Sequence, residues 1–309
     1  VNGFSWTVVI IGIVIFFISV AVVDYAVGAV CDYLNSHVKG GDARSHYDVY
    51  REVKADVIIL GSSRADHHYV PSIIEDSLRL SCYNCGYDAL GILSMYPRFV
   101  SVMKRCAPKL VIYDVLPNND VYGNAADHLK YLGDAKRYCD DEDIMNFIAD
   151  VEPVERYKLK SKMYRYNTNI FQLLKYYVHS SEKIDRGYRP LDKTMDYNTA
   201  PYKPQNVGAE PDSVKLKYMK QLIKLSKEKG FKLVFTASPW YKANERTEFR
   251  EIVKLSEAYD MPFICHYDDP VFCSDKSWFA DTTHLNDTGA EEYTRQICHE
   301  LLQLFGSEF

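Results

Sequence analysis

Apolar positions along the chain fall into three regimes. From Trp6 to Val23 there are eighteen consecutive residues without a charge, WTVVIIGIVIFFISVAVV. Short apolar runs then alternate with amphipathic stretches over about residues 55–120, and again over about 212–305. Between about 120 and 211 neither period holds. Tyr, Lys and Asp dominate that stretch, and Pro190, Pro201, Pro204 and Pro211 break its second part.

The first regime approaches the roughly 20 residues that a helix needs to cross a bilayer core. A secretory signal usually has a shorter apolar stretch followed by small residues at a cleavage site, whereas Val23 runs directly into Asp24-Tyr25-Ala26-Val27. A core helix is seldom apolar on every side. Residues 1–30 therefore predict a single transmembrane anchor, followed by a polar juxtamembrane stretch over 24–53. Only Val1-Asn2-Gly3 and then Phe4-Ser5 precede the apolar run, none of them charged, so flanking charge does not set its orientation.

The second regime predicts five strands: Ala55–Leu60, Ser81–Asn84, Leu110–Val115, Phe231–Ala237 and Pro262–Cys265. Helices are predicted over Pro71–Leu80, Met95–Cys106, Ser213–Lys229 and Glu248–Tyr259. Asp212 caps the third of these and Gly230 stops it. A last helix, capped by Asp287, runs to about Phe305. Strands alternating with helices require a parallel sheet covered on both faces, hence an α/β fold with a five-stranded parallel sheet. Residues 31–309 are expected to form this domain, with an irregular and helical insertion at about 120–211 that carries helices near 141–149 and 168–178. Ligands in such sheets bind beyond the carboxyl ends of the strands, which narrows the search for chemistry to five loops.

Composition narrows the picture further. Of 309 residues, 47% are hydrophobic and 26% charged, which supports a packed core and excludes general disorder. A formal net charge of −5 speaks against nucleic acid as a ligand. Many of the 25 tyrosines lie between residues 113 and 202, where they either pack the insertion or line a sugar or lipid groove. Eight cysteines permit disulfides without fixing a pairing, and Cys265 with Cys273 would close a short loop. Cys82-Tyr-Asn-Cys85 has redox or zinc spacing, but no second such pair completes a metal site. No metal and no cofactor is called for.

Two loops carry candidate chemistry. Gly61-Ser62-Ser63-Arg64-Ala65-Asp66-His67-His68 follows the first strand, where a serine can project its hydroxyl at the top of the sheet and turn N–H groups can face an oxyanion. Asp281-Thr-Thr-His284 directly precedes the last helix. A carboxylate three residues from an imidazole can orient the ring and stabilise it once it takes a proton from serine. Arg64 is read as pairing with Asp66 or binding an anion, Asp114 as a hydrogen-bond partner of a neighbouring loop, and His67 and His68 as a poor metal pair because adjacent side chains diverge.

Together these loops resemble the SGNH (GDSL-like) hydrolases. Gly61-Ser62-Ser63 is similar to the first block of that family, with Ser63 in the nucleophile position, and Asp281-Thr-Thr-His284 matches the D-x-x-H of its last block. The intervening blocks are looser. Tyr83-Asn84-Cys85-Gly86 places Gly86 where the family has an oxyanion glycine, and Leu116-Pro117-Asn118-Asn119-Asp120 aligns Asn119 with the family's asparagine but lacks its glycine. The resemblance implies a flavodoxin-like three-layer sandwich, catalytic Ser63, His284 and Asp281, and an oxyanion hole from Ser63, Gly86 and Asn119. An anchor followed by such a domain also resembles the envelope proteins of D-alanyl and O-acetyl transfer (DltD-like and alginate-acetylation-like). That likeness implies an esterase or O-acyltransferase outside the cytoplasm, acting on acyl groups of a cell-wall polymer or polysaccharide beside a membrane-bound O-acyltransferase. The competing expectation is a noncatalytic polysaccharide-binding or scaffold protein.

Overall fold

The computed structural model describes residues 5–167, 170–179, 185–206 and 208–306. Two compact units divide the chain: Val1–Tyr47 with Lys136–Glu182, and Asp48–Ala135 with Lys183–Phe309.

The second unit holds the sheet. Its strands are β1 (Val57–Gly61), β2 (Cys82–Asn84), β3 (Leu110–Asp114), β4 (Lys232–Ala237) and β5 (Phe263–Cys265), all parallel in the order β2-β1-β3-β4-β5. That order is the flavodoxin-like doubly wound arrangement, with its switch point between β1 and β3. β1 and β3 are buried at every position, as strands covered on both faces must be. Val57 and Ile59 point into the core formed with helices Pro71–Leu78 and Asp287–Phe305. Their neighbours in sequence face the other way, toward helices Ile92–Met103 and Ser213–Lys229, where Tyr113 meets Phe235 and Phe99 meets Phe231 edge to face.

Several helix ends depart from the local signal. Helix Ile92–Met103 begins three residues before the expected Met95, because Asp120 accepts from the Ile92 N–H at 2.7 Å and caps it from a distance. The helix expected from Glu248 starts at Arg250, since the Glu248 carboxylate is drawn inward by the Tyr202 hydroxyl (2.7 Å) and the Gln205 N–H (3.0 Å). Asn286, not Asp287, caps the last helix, accepting from the Gly289 N–H at 2.9 Å. Asp212 and Gly230 bound their helix as expected, Gly230 taking φ 78°.

In the first unit a single helix runs over Trp6–Ser36. It is long and apolar enough to cross a membrane, and none of its most apolar 18-residue window is buried. The expected polar juxtamembrane stretch over 24–53 is largely helical, its first part continuing the N-terminal helix to Ser36. Val27, Cys31, Leu34 and Val38 recur at helical spacing and pack with Tyr166, Leu173 and Tyr176, which extends the helix past Asp24; a second helix follows over Gly41–Arg51. Helices Glu142–Val151 and Ile170–Val178 complete the elements used below, and the expected start of the latter at 168 lies outside the described residues. All eight cysteines are free thiols, Cys82, Cys85, Cys265 and Cys273 among them.

Gly61 ends β1 at φ 143°, and a Cβ there would lie 2.5 Å from the Asp114 carbonyl and 2.8 Å from Ala65 Cβ. Only glycine turns the chain this sharply so close to β3. Gly61→Ala is expected to lower stability by more than about 1 kcal/mol, from strain and overlap together. Urea denaturation monitored by circular dichroism measures this, and an unchanged midpoint would show that the turn relaxes freely.

Candidate active site

The turn after β1 leads straight into a short helix, Ser63–His68, capped by Ser62, whose Oγ accepts from the Arg64 N–H at 3.4 Å. Ser62 is thereby committed to the turn, while Ser63 is partly open to solvent at its start. On the far side of the chain, Asp281 folds its own loop: Oδ1 accepts from the Thr283 N–H (2.8 Å), the Thr283 hydroxyl (2.9 Å) and the His284 N–H (3.0 Å). His284 Nδ1 lies 2.9 Å from Asp281 Oδ2, and Nε2 lies 2.8 Å from Ser63 Oγ. A carboxylate only accepts, so Nδ1 carries the proton and Nε2 is left to accept from the serine hydroxyl. Burial works against the Asp281 charge, yet the bonds from His284 and Thr283 outweigh it and hold its carboxyl well below the usual carboxylate range.

Three sequence-predicted residues, separated by more than two hundred positions, thus meet as a continuous hydrogen-bonded relay. The other two are placed differently. Gly86 packs its Cα against the Ser63 helix, so closely that a Cβ would lie 2.7 Å from the Asp66 nitrogen, and its N–H donates to Asn84 Oδ1 at 2.9 Å. Asn84 in turn donates to the carbonyls of Ala65 (2.7 Å) and Tyr69 (3.1 Å), pinning the helix to the loop after β2. Asn119 donates to the Leu90 carbonyl at 2.9 Å and backs against Gly91.

A buried polar network braces the relay from below. The Leu285 N–H donates to His68 Nε2 at 2.9 Å, so the His68 proton sits on Nδ1 and is given to Ser238 Oγ at 2.8 Å. Burial and the Arg64 charge keep His68 uncharged, its pKa well below the ordinary imidazole value. One neutral ring therefore ties the serine helix to the loop after β4 and to the residue beside His284. Arg64 does not pair with Asp66. Its Nε and Nη2 bond Ser238, its Nε lies 3.8 Å from Asp114, and the Trp240 and Tyr267 rings flank it. Asp114 accepts from the Tyr69 hydroxyl (2.6 Å) and the Ser238 N–H (3.0 Å), the loop partnership expected of it.

Beside the relay stands a charged cluster that no motif in the sequence announced. Asp66 is paired with Arg189, which also reaches Asp88 at 3.4 Å. Burial pushes Asp66 up to about 6, against the pull of Arg189. His67 sets Nδ1 2.6 Å from the Arg189 carbonyl and Nε2 3.2 Å from Asp88, with its ring edge-on to His284 at 5.5 Å between centroids. Asp66, His67 and Asp88 offer ligand atoms within 4.8 Å of one another, the spacing of a cation site. Arg189 already supplies the positive charge between the two carboxylates. Its position in the irregular 185–206 stretch, next to Pro190, explains why periodicity could not find it.

Both acceptors facing His67 call for a proton, which makes it an imidazolium. Burial opposes that charge, but the Asp88 bond and the Asp66 charge prevail and its pKa is raised. The stability this adds is complete below about pH 6.5, the usual imidazole value, and is lost as pH rises through the higher folded value. In an NMR titration the His67 ring is expected to titrate above that usual value, and Asp88→Asn to bring the midpoint down. A midpoint at or below about 6.5 in the parent protein contradicts the imidazolium.

No protein-family model and no curated protein sequence matches this chain. Solved structures with a similar course of the backbone include a protein assigned to the lipolytic G-D-S-L family from Desulfitobacterium hafniense DCB-2, at 10% identity, TM-score 0.40, and coverage of 79% of this chain and 97% of that one. A protein assigned as an acylhydrolase from Bacteroides fragilis NCTC 9343 gives 12% identity, TM-score 0.42, and coverage of 85% and 97%. A protein assigned as a platelet activating factor from Streptococcus pneumoniae gives 10% identity, TM-score 0.43, and coverage of 90% and 98%.

Proposed function

We propose that this chain is a serine-dependent esterase or O-acyltransferase of SGNH type that works through an acyl-enzyme on Ser63. The observation that carries this reading is the unbroken Asp281–His284–Ser63 relay, with 2.9 and 2.8 Å links and the tautomer that base catalysis needs. Ser63 Oγ attacks the ester carbonyl as its proton passes to His284 Nε2. The imidazolium, steadied by ionised Asp281, returns that proton to the departing alcohol oxygen. In the second half-reaction His284 takes a proton from water or from an acceptor hydroxyl as its oxygen attacks the acyl carbonyl, and the imidazolium then gives that proton to the departing Ser63 Oγ.

The oxyanion of each tetrahedral intermediate requires donors near the start of the Ser63 helix. The Ser63 N–H, the Gly86 N–H and the Asn119 amide are assigned to it, Gly86 acting once its N–H leaves Asn84 Oδ1. Acyl groups of a cell-envelope polysaccharide, acetyl among them, are the substrate class that the envelope resemblance implies. With Trp6–Val23 seated in the membrane, the site would stand outside the cytoplasm close to such polymers, and a membrane-bound O-acyltransferase would be its partner.

A serine-directed fluorophosphonate tests the chemistry. Labelling that maps to Ser63 and disappears in His284→Ala is the expected result. A chain that binds polysaccharide yet takes no label at Ser63 would be the noncatalytic scaffold instead. Mass analysis of products from an acetylated sugar, with and without an added acceptor alcohol, separates hydrolysis from transfer.

A further inference from the structure

Beside the N-terminal helix lies a groove of about 530 Å³, within the size range of ligand pockets. Phe16, Val20 and Val23 form one wall; Met163, Tyr164 and Ile170 form the other. Phe16, Val20 and Val23 fall on one helical face, seven residues from first to last, which spans about 10 Å at 1.5 Å per residue. The groove closes at Asp24, the first charge after the uncharged run.

The walls are joined by polar bonds at Asp24 and, further along the helix, by the apolar cluster of Cys31, Leu34, Tyr166 and Leu173 on which Val27 and Ile170 pack. Asp24 accepts from the Ser161 hydroxyl (2.5 Å), the Lys162 N–H (2.9 Å) and the Met163 N–H (3.1 Å). Lys162 reaches on to Asp32 at 3.0 Å and lies over the Tyr25 ring, and its stem crosses Gly28 so closely that a Cβ there would meet it at 2.2 Å. These links clamp the 161–163 segment at one level of the helix and leave the apolar flanks next to them open: Phe16 is 62% exposed and Val20 50%. A slot results whose lining is mainly apolar, interrupted by Ser19 and Asn167, with its charged end where an 18-residue uncharged run meets its first carboxylate.

We infer that this groove holds one acyl chain of a bilayer phospholipid, with the lipid's headgroup at the level of Asp24. Half the hydrocarbon thickness of a bilayer is about 15 Å, so a slot about 10 Å deep accommodates the upper part of one leaflet's chain. An ordinary boundary lipid touches one helix face, whereas a chain in this slot is flanked on two sides. The inference rests on the proposal that Trp6–Val23 is embedded in the membrane.

The test uses the full chain in phosphatidylcholine vesicles carrying a phospholipid with a diazirine midway along one acyl chain, the adducts being mapped by mass spectrometry. Adducts are expected on Val20, Met163 and Ile170. Val20→Trp, which fills the slot, should abolish those on Met163 and Ile170. Ile18→Trp should keep them, because a residue two positions from Phe16 and Val20 lies on the opposite face. Adducts spread evenly around the helix, with Ile18 and Val22 labelled as strongly as Val20 and Met163 unlabelled, overturn the groove and leave only boundary lipid. Adducts on Met163 that survive Val20→Trp also overturn it. A chain that neither floats with the vesicles nor takes any adduct on its first helix overturns the anchoring itself, a result distinct from both.

Discussion

Ser63→Ala is expected to leave a folded protein whose hydrolysis of activated esters falls by at least about 10⁴-fold, since removing a triad member generally costs that much or more. The loss should appear in kcat, with fluorophosphonate labelling gone. The neighbouring serine supplies the control. Ser62 Oγ accepts the Arg64 N–H and so caps the helix on which Ser63 sits. Ser62→Ala should therefore cost stability, about 1 kcal/mol for a lost cap, while the adduct still forms on Ser63. An adduct that maps to Ser62, or one that survives Ser63→Ala, would place the nucleophile elsewhere.

Asp281→Asn is expected to lower kcat about 10⁴-fold with the fold intact. The amide oxygen can still accept from the Thr283 and His284 N–H groups and keep the loop folded. The amide nitrogen, however, presents donors to His284 Nδ1, which would then have to accept. That moves the ring proton to Nε2, where it opposes Ser63 and cannot receive its proton. The parent carboxyl is held well below its usual range, so the stability it adds is present above about pH 3.9 and lost as pH falls through the lower folded value. Kinetics and thermal unfolding on one sample separate the effects: a large fall in kcat with little change in Tm supports the orienting role. Parallel losses in both would make Asp281 a loop residue first.

What the sequence made legible follows from the range of the forces involved. β1, β3 and β4 were visible as apolar runs buried at nearly every position, the short edge strands β2 and β5 only by their place between helices, and strand edges moved by no more than two residues. Helix starts went astray at Ile92 and Arg250, where the deciding carboxylates, Asp120 and Glu248, act through bonds to distant or inward-facing groups. That Ser63, His284 and Asp281 meet was legible because each sits at a strand end or just before a helix, where local spacing carries meaning. Gly86 and Asn119 were singled out by the family resemblance alone, and their hydrogen bonds to Asn84 and Leu90 could not have been foreseen. Arg189 was out of reach, because nothing in an aperiodic, proline-broken stretch signals which carboxylate a cation will meet. The helical continuation past Asp24 was hidden because Asp24 and Asp32 read as solvated charges, whereas their partners, Ser161, Lys162 and Tyr166, are more than a hundred residues away.

The order of the relay residues along the chain has a consequence for synthesis. Ser63 and His284 are 221 residues apart, and the two loops are joined through His68, which receives the Leu285 N–H at 2.9 Å and whose carbonyl accepts from Thr294 of the last helix at 3.2 Å. At about 5–20 residues per second, a ribosome needs roughly 10–40 s to travel from one to the other. During that interval the apolar N-terminal segment is already available for membrane insertion, while Ser63 has no base and β5 no cover. Chains that stall or are cut before Asp281 carry Ser63 without its hydrogen-bonded partners. Under the proposed mechanism such products take no fluorophosphonate label, so labelling marks only chains extended through the Asp281–His284 loop.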